Sequence, residues 1–130
     1  MSNNSIIGVS IFAIAIFFIF LKNRKISKSI RADTDRIANQ HFPLDCEITS
    51  DTLTNLINYF SLQYKTLSIE AKIWQDFGFK KYDTLVIDLA EVVSDTIEYR
   101  IAPKVFDNCI TLRDVVEIAI QQNNVANKTL

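Results

Sequence analysis

A long uncharged apolar segment, SIIGVSIFAIAIFFIFL, occupies residues 5–21. Its 17 residues are near the minimum for a helix that crosses a bilayer with a hydrocarbon thickness of about 30 Å. A buried core helix would show a polar face, and this segment offers only Ser10. A cleaved signal peptide would carry positive charge before the apolar run and a small-residue cut site after it. We therefore predict a membrane anchor over residues 1–22, with a signal peptide and a core helix as alternatives.

Charge is divided unevenly along the chain. The first 31 residues contain five basic residues and no acidic one, whereas all 15 acidic residues follow. The basic residues are Lys22, Arg24, Lys25, Lys28 and Arg31. Lys and Arg are retained on the cytoplasmic side of a membrane span. The prediction is a single-pass protein of the inner (cytoplasmic) membrane, with the N-terminus outside and the C-terminal domain in the cytoplasm.

Residues 23–49 connect the predicted anchor to the rest of the chain. Ile26, Ile30 and Ile37 recur at helical spacing, and Pro43 ends the pattern. The segment is predicted to be a basic juxtamembrane linker or helix. The five basic residues from Lys22 to Arg31 would lie on anionic lipid headgroups, each contributing about 1 kcal/mol near the surface. A solvated flank without specific lipid recognition is the alternative.

Residues 50–130 show the apolar periodicity of helices. Ser50 is a suitable N-cap for the first of these helices, and Thr111 with Asp114 forms a weaker capping box at the start of the last. The apolar stripes comprise Leu53, Leu56, Ile57, Phe60 and Tyr64, then Tyr82, Leu85, Val86, Leu89, Val93 and Ile97, then Leu112, Val115, Val116 and Ala119. Residues 65–81 are too apolar for a solvated loop and should cover the core. The predicted fold is all-α, a single transmembrane helix followed by a small helical bundle.

One side of the helix after residue 82 carries a row of acidic residues. Asp88, Glu91, Asp95 and Glu98 step by three, four and three positions, which is the spacing of one helical face. Such a row is either a solvated face or a surface that attracts a basic protein. From the residues alone both interpretations stay open, a partner-binding surface and a solvated face. The acidic balance of this part of the chain disfavours binding to nucleic acid.

The Asp-Phe-Gly triplet at residues 76–78 matches the magnesium-binding triplet of protein kinases. The whole chain has two glycines, so it cannot form the glycine-rich phosphate loop that such a site needs. The single histidine, His41, has no Cys or second His at metal-ligand spacing, and no catalytic set accompanies it. Cys46 and Cys109 are widely spaced and are expected to be ordinary reduced residues. The sequence predicts no enzyme, catalytic residue, metal, cofactor or small-molecule substrate.

Two motifs resemble those of acyl carrier proteins. DFGFKKYDTL, residues 76–85, is similar to the Asp-Leu-Gly-x-Asp-Ser-Leu-Asp pattern at the head of the carrier's second helix. ITLRDVVEIAI, residues 110–120, is similar to the Ile-Thr-x-x-Asp start of its fourth helix. Asp76, Gly78, Tyr82 and Asp83 fall on the carrier's Asp, Gly, Leu and second Asp. The resemblance covers residues 50–121 and implies a carrier-like helical domain whose acidic helix is recognised by partner proteins.

The chain departs from the carrier pattern where the phosphopantetheine arm is attached. Lys81 stands at the position of the serine, and Lys80 at that of the acid before it. Only a hydroxyl could form the phosphodiester, so the chain looks like the uncharacterised enterobacterial carrier-like proteins that lack this serine. The predicted function is a non-catalytic, membrane-anchored binding module without the arm. The alternatives are an acyl carrier with an atypical attachment site and a small membrane-bound structural or immunity protein.

Overall fold

The computed structural model describes residues 28–76 and 82–128. Residues 28–41 are helical (α1), and four further helices follow: α2 (Cys46–Phe60), α3 (Ile73–Asp76), α4 (Tyr82–Ile97) and α5 (Leu112–Lys128). Short 3-10 helices occupy Tyr64–Thr66 and Pro103–Phe106. The described ranges contain no strand, only an isolated bridge between Lys72 and Thr111. The prediction of an all-α fold is confirmed.

Several predicted features fall outside the described residues. The apolar segment and Lys22, Arg24 and Lys25 precede residue 28, and the turn with Lys80 and Lys81 lies in residues 77–81. The side chains of Asp76, Tyr82 and Asp83 are also outside the description. Among the helices that are described, none is long and apolar enough to cross a bilayer. The membrane anchor stays a prediction.

The core lies where α2, α4 and α5 pack against one another. Each helix buries one apolar face, and these faces follow the predicted stripes except at two positions. Tyr64 lies beyond α2, in the 3-10 helix Tyr64–Thr66, and the side chain of Tyr82 is outside the description. Fully buried side chains on the three helices include Leu53, Leu56, Leu85, Leu89, Val93, Leu112, Val115 and Val116. Burial of one such side chain contributes about 1.5–3 kcal/mol. The helical spacing of apolar residues therefore identified the core correctly.

The described part of the stretch between α2 and α4, residues 61–76, covers this core, as predicted for residues 65–81. Ile69 and Ile73 are buried in it. The first amides of α5 donate to the same stretch, Leu112 N–H to the Ala71 carbonyl at 2.9 Å and Arg113 N–H to the Ile69 carbonyl at 2.8 Å. The first amides of a helix have no partner within it. The covering stretch supplies those partners and so fixes the start of α5.

The predicted capping box at the start of α5 is confirmed. Asp114 Oδ2 accepts hydrogen bonds from the backbone N–H groups of Ile110 at 2.9 Å and Thr111 at 3.0 Å. The Asp114 N–H in turn points to Thr111 Oγ1 at 3.4 Å. This reciprocal arrangement satisfies backbone donors on both sides of the helix start.

The capping carboxylate of Asp114 makes the stability of the fold depend on pH. The two backbone hydrogen bonds, from Ile110 and then Thr111, lower the pKa of Asp114 from its ordinary value of 3.8. A carboxyl whose pKa is lower in the folded state stabilises fully above its unfolded value, and that contribution is lost as the pH falls through the folded value. Asp114→Ala should lower the free energy of unfolding at neutral pH by about 0.5–2 kcal/mol. The deficit should shrink as the pH falls below 3.8.

Urea unfolding of the full chain at neutral and acidic pH measures both effects. Glu117→Ala, an exposed carboxyl on the same helix, is the matched control and should change little. A deficit for Asp114→Ala that stays constant down to the lowest pH would contradict the role of the ionised cap.

The α1–α2 contact shows that the prediction of Ser50 as an N-cap is wrong. α2 begins at Cys46, so Ser50 lies inside the helix and is only 1% exposed. Its Oγ lies 2.8 Å from Thr34 Oγ1 and donates to Asp35 Oδ1 at 2.5 Å. Thr34 Oγ1 also lies 3.1 Å from Thr54 Oγ1. Thr34, Ser50 and Thr54 form what we call the hydroxyl cluster, and the hydroxyl of Ser50 joins two helices rather than starting one.

Apolar side chains complete the docking of α1. Ile30 and Ile37, two of the isoleucines noted at helical spacing, are buried together with Ala38. Residues 28–41, part of the predicted linker, thus pack against the helical domain.

The side chain of Arg113, on α5, contacts the C-terminal end of α1. Its Nη2 lies 3.3 Å from His41 Nδ1, and its guanidinium carbon is 5.6 Å from the centre of the Phe42 ring. Its Nε donates to Glu70 Oε1 at 2.6 Å. One arginine therefore joins α1, the covering stretch and α5.

Candidate functional site

The predicted acidic row is divided by the end of α4. Asp88, Glu91 and Asp95 lie on the helix, but α4 ends at Ile97, and Glu98 follows it with a positive φ of 55°. A non-glycine residue in the left-handed region is uncommon and marks a change of chain direction. Glu91, Asp95 and Glu98 are exposed, whereas Asp88 is partly buried. The four carboxylates are therefore not one straight row.

Asp88 has a partner on α2. Tyr59 donates its phenolic O–H to Asp88 Oδ1 at 3.0 Å. This hydrogen bond raises the pKa of Tyr59 above its ordinary value of 10.0, because loss of the phenolic proton would break it beside a carboxylate. A second bond joins the same two helices nearby, from Asn55 Nδ2 to Thr96 Oγ1 at 2.8 Å. Asp88 thus helps to tie α4 to α2.

Glu91 and Asp95 border a concavity that we call the α4 groove, with a volume of about 300 Å³. Its walls are formed by α4 on one side and by the chain after α4 on the other. The wall residues are Ile87, Glu91 and Asp95 on α4, with Arg100, Ile101 and Pro103 opposite. Ala90 and Ser94 also line it. Ile87 is 52% exposed, which is unusual for isoleucine and leaves apolar surface beside the two carboxylates.

Local hydrogen bonds fix the second wall of the α4 groove. Tyr99 N–H donates to the Ser94 carbonyl at 3.2 Å, and Ile101 N–H donates to Ser94 Oγ at 3.0 Å. Pro103 then begins the 3-10 helix, whose Phe106 is fully buried. Because the chain is held at both ends of this short segment, the groove is part of the folded domain.

The carboxylates of Glu91, Asp95 and Glu98 take part in none of the ion pairs between described residues. Within residues 28–76 and 82–128, the ion pairs are Arg31–Asp35, Arg31–Asp51, Arg36–Asp33 and Arg113–Glu70. None of these four pairs includes an acidic residue on or after α4. The negative charge beside the α4 groove is therefore uncompensated by ion pairs among the described side chains.

Glu98 lies at a different concavity from Glu91 and Asp95. It lines a cleft of about 400 Å³ together with Asp45 and Glu47 at the start of α2 and with Asp51. Asp51 is already engaged, because it accepts a hydrogen bond from Arg31 Nη1 at 2.6 Å. The predicted partner-binding residues thus occupy three environments: a helix–helix tie at Asp88, the α4 groove, and this cleft.

Two of the predicted membrane-surface residues are described. Lys28 is exposed. Arg31 pairs with Asp51 at 2.6 Å and with Asp35 at 3.2 Å, and its side chain is 42% exposed. The hydrogen bond to Asp51 raises the pKa of Arg31. Arg31 therefore contacts the helical domain, whereas Lys28 is exposed at the start of the described chain.

The described part of the chain offers no metal centre. No group of three or more His, Cys, Asp or Glu side chains within it is arranged to hold a metal ion. Cys46 and Cys109 are free thiols. Burial raises the pKa of Cys109 to about 12, and this disfavours the thiolate, the reactive form, at neutral pH.

Three residues around the acidic side of α4 were not identified from the sequence: Tyr59, Ile87 and Arg100. Ile87 was detectable in principle, because it is a large apolar residue that lies off the buried stripe of its own helix. The contribution of Tyr59 depends on a contact across 29 positions, and that of Arg100 depends on the turn after α4. Neither contribution can be recognised from the neighbouring residues in the sequence.

Comparison of the chain with protein-family models, with curated proteins and with solved structures gave no significant match.

Proposed function

We propose that this protein is a membrane-anchored, non-catalytic binding module that presents the acidic side of α4 to a basic protein partner. In this proposal the domain faces the cytoplasm from a single N-terminal span and carries no phosphopantetheine arm. The described residues take part as a preformed surface, and no reaction is assigned to them.

One observation carries the proposal: Glu91 and Asp95 are exposed, lie one helical turn apart, and form no ion pair with any described side chain. Solvated acidic residues are common. Here, however, they border a groove and stand beside the exposed Ile87. Protein interfaces combine an apolar centre with a polar rim. The neighbourhood of these carboxylates has both parts.

Charge would act here mainly on encounter and on choice of partner. A single exposed ion pair contributes about 0–1 kcal/mol. Several complementary charges together raise the association rate and disfavour wrong partners. The surface should therefore bind basic partners quickly and with a strong dependence on salt.

The anchor and the orientation rest on the sequence. The apolar segment at residues 5–21 is followed, not preceded, by basic residues. The exposed Lys28 continues this basic region into the described chain. A domain tethered in this way meets partners at the membrane surface.

Charge reversal tests the proposal. Glu91→Lys combined with Asp95→Lys should slow association with proteins captured from membranes by the full-length chain. It should also make the residual binding less sensitive to salt, because attraction is replaced by repulsion. The fold should persist, since exposed substitutions usually change stability by less than about 0.5 kcal/mol. Association rates at several salt concentrations, with circular dichroism as the folding check, give the answer.

Asp107→Lys combined with Glu117→Lys is the matched control. Both residues are exposed acids that lie outside α4 and do not line its groove, and this pair changes the net charge by the same amount. Equal effects of the two double variants would mean that only net charge matters and would contradict recognition by α4. An intact mass increased by a pantetheine arm would contradict the binding-only function and favour an acyl carrier.

A further inference from the structure

We infer that the α4 groove receives one large apolar side chain of the partner, so that the recognised segment is a basic segment with an apolar residue between its cations. This inference rests on the proposed function and deepens it. The occupant is a protein segment whose cations face Glu91 and Asp95 and whose apolar residue lies against Ile87.

The surface of the α4 groove is mixed, with polar atoms of Ser94, Glu91 and Asp95 beside apolar side chains. Ala90 and Ile101 also line it but are each only 4% exposed, so its exposed apolar surface comes mainly from Ile87 and Pro103. Ile87 stands at the edge with half of its surface in water. The volume of about 300 Å³ is at the lower limit of small-molecule pockets, which are about 300–1,000 Å³. One side chain of a protein partner suits this space better than a separate ligand.

The charges around the α4 groove determine which residues of the partner segment can flank its apolar side chain. Glu91 and Asp95 lie four positions apart on one wall, which places their Cβ atoms about 5–6 Å apart. Arg100 is the basic residue that lines the same groove. Two carboxylates against one guanidinium leave the groove negative, so cations beside the apolar side chain are favoured and anionic ligands are repelled. Arg100 should weaken the binding of a basic segment.

Two peptides test the inference with the full chain in zwitterionic lipid nanodiscs. One carries a leucine flanked by lysines on a helical framework, and the other has glutamine in place of that leucine. Fluorescence anisotropy gives both affinities. Burying the exposed part of Ile87 and the leucine should make the leucine peptide bind about tenfold more tightly. Ile87→Gln should remove this preference, and Arg100→Gln should tighten both peptides.

Val125→Gln is the matched control. Val125 is an exposed apolar residue on α5, 40% exposed and outside the α4 groove, so this variant should keep the leucine preference. Equal affinities of the two peptides, or a preference that survives Ile87→Gln, would overturn the inference.

The same measurements separate this inference from the proposed function. If Glu91→Lys with Asp95→Lys abolishes binding while leucine makes no difference, charge recognition stands and the α4 groove has no such occupant. If the double reversal also leaves binding unchanged, both the inference and the proposed function fail.

Discussion

Replacing Leu89 by alanine is expected to lower the free energy of unfolding by about 2–5 kcal/mol. Leu89 is 0% exposed and lies on the face of α4 that packs in the core with α2 and α5. The truncation removes the transfer free energy of the deleted atoms and leaves a cavity that the neighbours fill only in part. Urea unfolding of the full chain, followed by circular dichroism, measures the change.

Ile87→Ala is the control for Leu89→Ala. It removes an aliphatic side chain from the same helix, two positions away, but from a site that is 52% exposed. We expect a change within about 0.5 kcal/mol. Equal losses at the two positions would mean that the two faces of α4 are assigned wrongly. The surface proposed for partner binding depends on that assignment.

The second large effect is expected at the hydroxyl cluster. Thr34→Val keeps the shape of the side chain but removes the hydroxyl that lies 2.8 Å from Ser50 Oγ and 3.1 Å from Thr54 Oγ1. Thr34 and Ser50 are buried, so water cannot replace these bonds freely. Removing one partner of a buried hydrogen bond costs about 1–3 kcal/mol. The free energy of unfolding of the full chain should fall by this amount.

Thr49→Val provides a matched comparison. Thr49 is also 0% exposed and lies next to Ser50, but its Oγ1 has no hydrogen-bond partner among the described residues. The same substitution should therefore leave stability unchanged or raise it, because an unsatisfied buried hydroxyl is removed. A loss at Thr49 as large as that at Thr34 would show that the loss at Thr34 does not come from the hydrogen bonds of the hydroxyl cluster.

The core was predictable because it is encoded by spacing. Leu53 and Leu56 on α2, Leu85 and Leu89 on α4, and Leu112 on α5 all lie where a period of 3.6 places the buried face. The cap formed by Thr111 and Asp114 could also be predicted, since its two residues are three positions apart. Such features depend on neighbours in the chain, and local sequence is enough to reveal them.

Ser50 shows why the docking of α1 was not predictable. A serine before an apolar periodic run has the usual signature of an N-cap. Its actual partner, Thr34, is 16 positions away on another helix. Which hydroxyls meet across two helices depends on how the helices pack. Neighbouring residues carry no information about that packing. The prediction of Ser50 as an N-cap therefore followed the usual signature and was wrong.

The acidic residues illustrate the same limit on the candidate site. Their spacing predicted one helical face, but α4 ends before Glu98, and Asp88 is tied to Tyr59 across 29 positions. Glu91 and Asp95 keep the predicted exposure and gain a groove that forms only because Arg100 and the residues after it fold back along α4. The exposed negative charges on α4 could be predicted from the sequence, but the groove beside them could not.

The covering stretch has a consequence for how a partner would meet α4. The Trp74 indole N–H donates to the Cys109 carbonyl at 3.2 Å, a contact between residues 35 positions apart. This contact joins the segment before α4 to the segment before α5, and α4 itself packs in the core against α2 and α5. A partner would thus encounter a surface that is already ordered. Its affinity would not be reduced by the entropy of folding this segment on binding, a cost that flexible recognition segments must overcome.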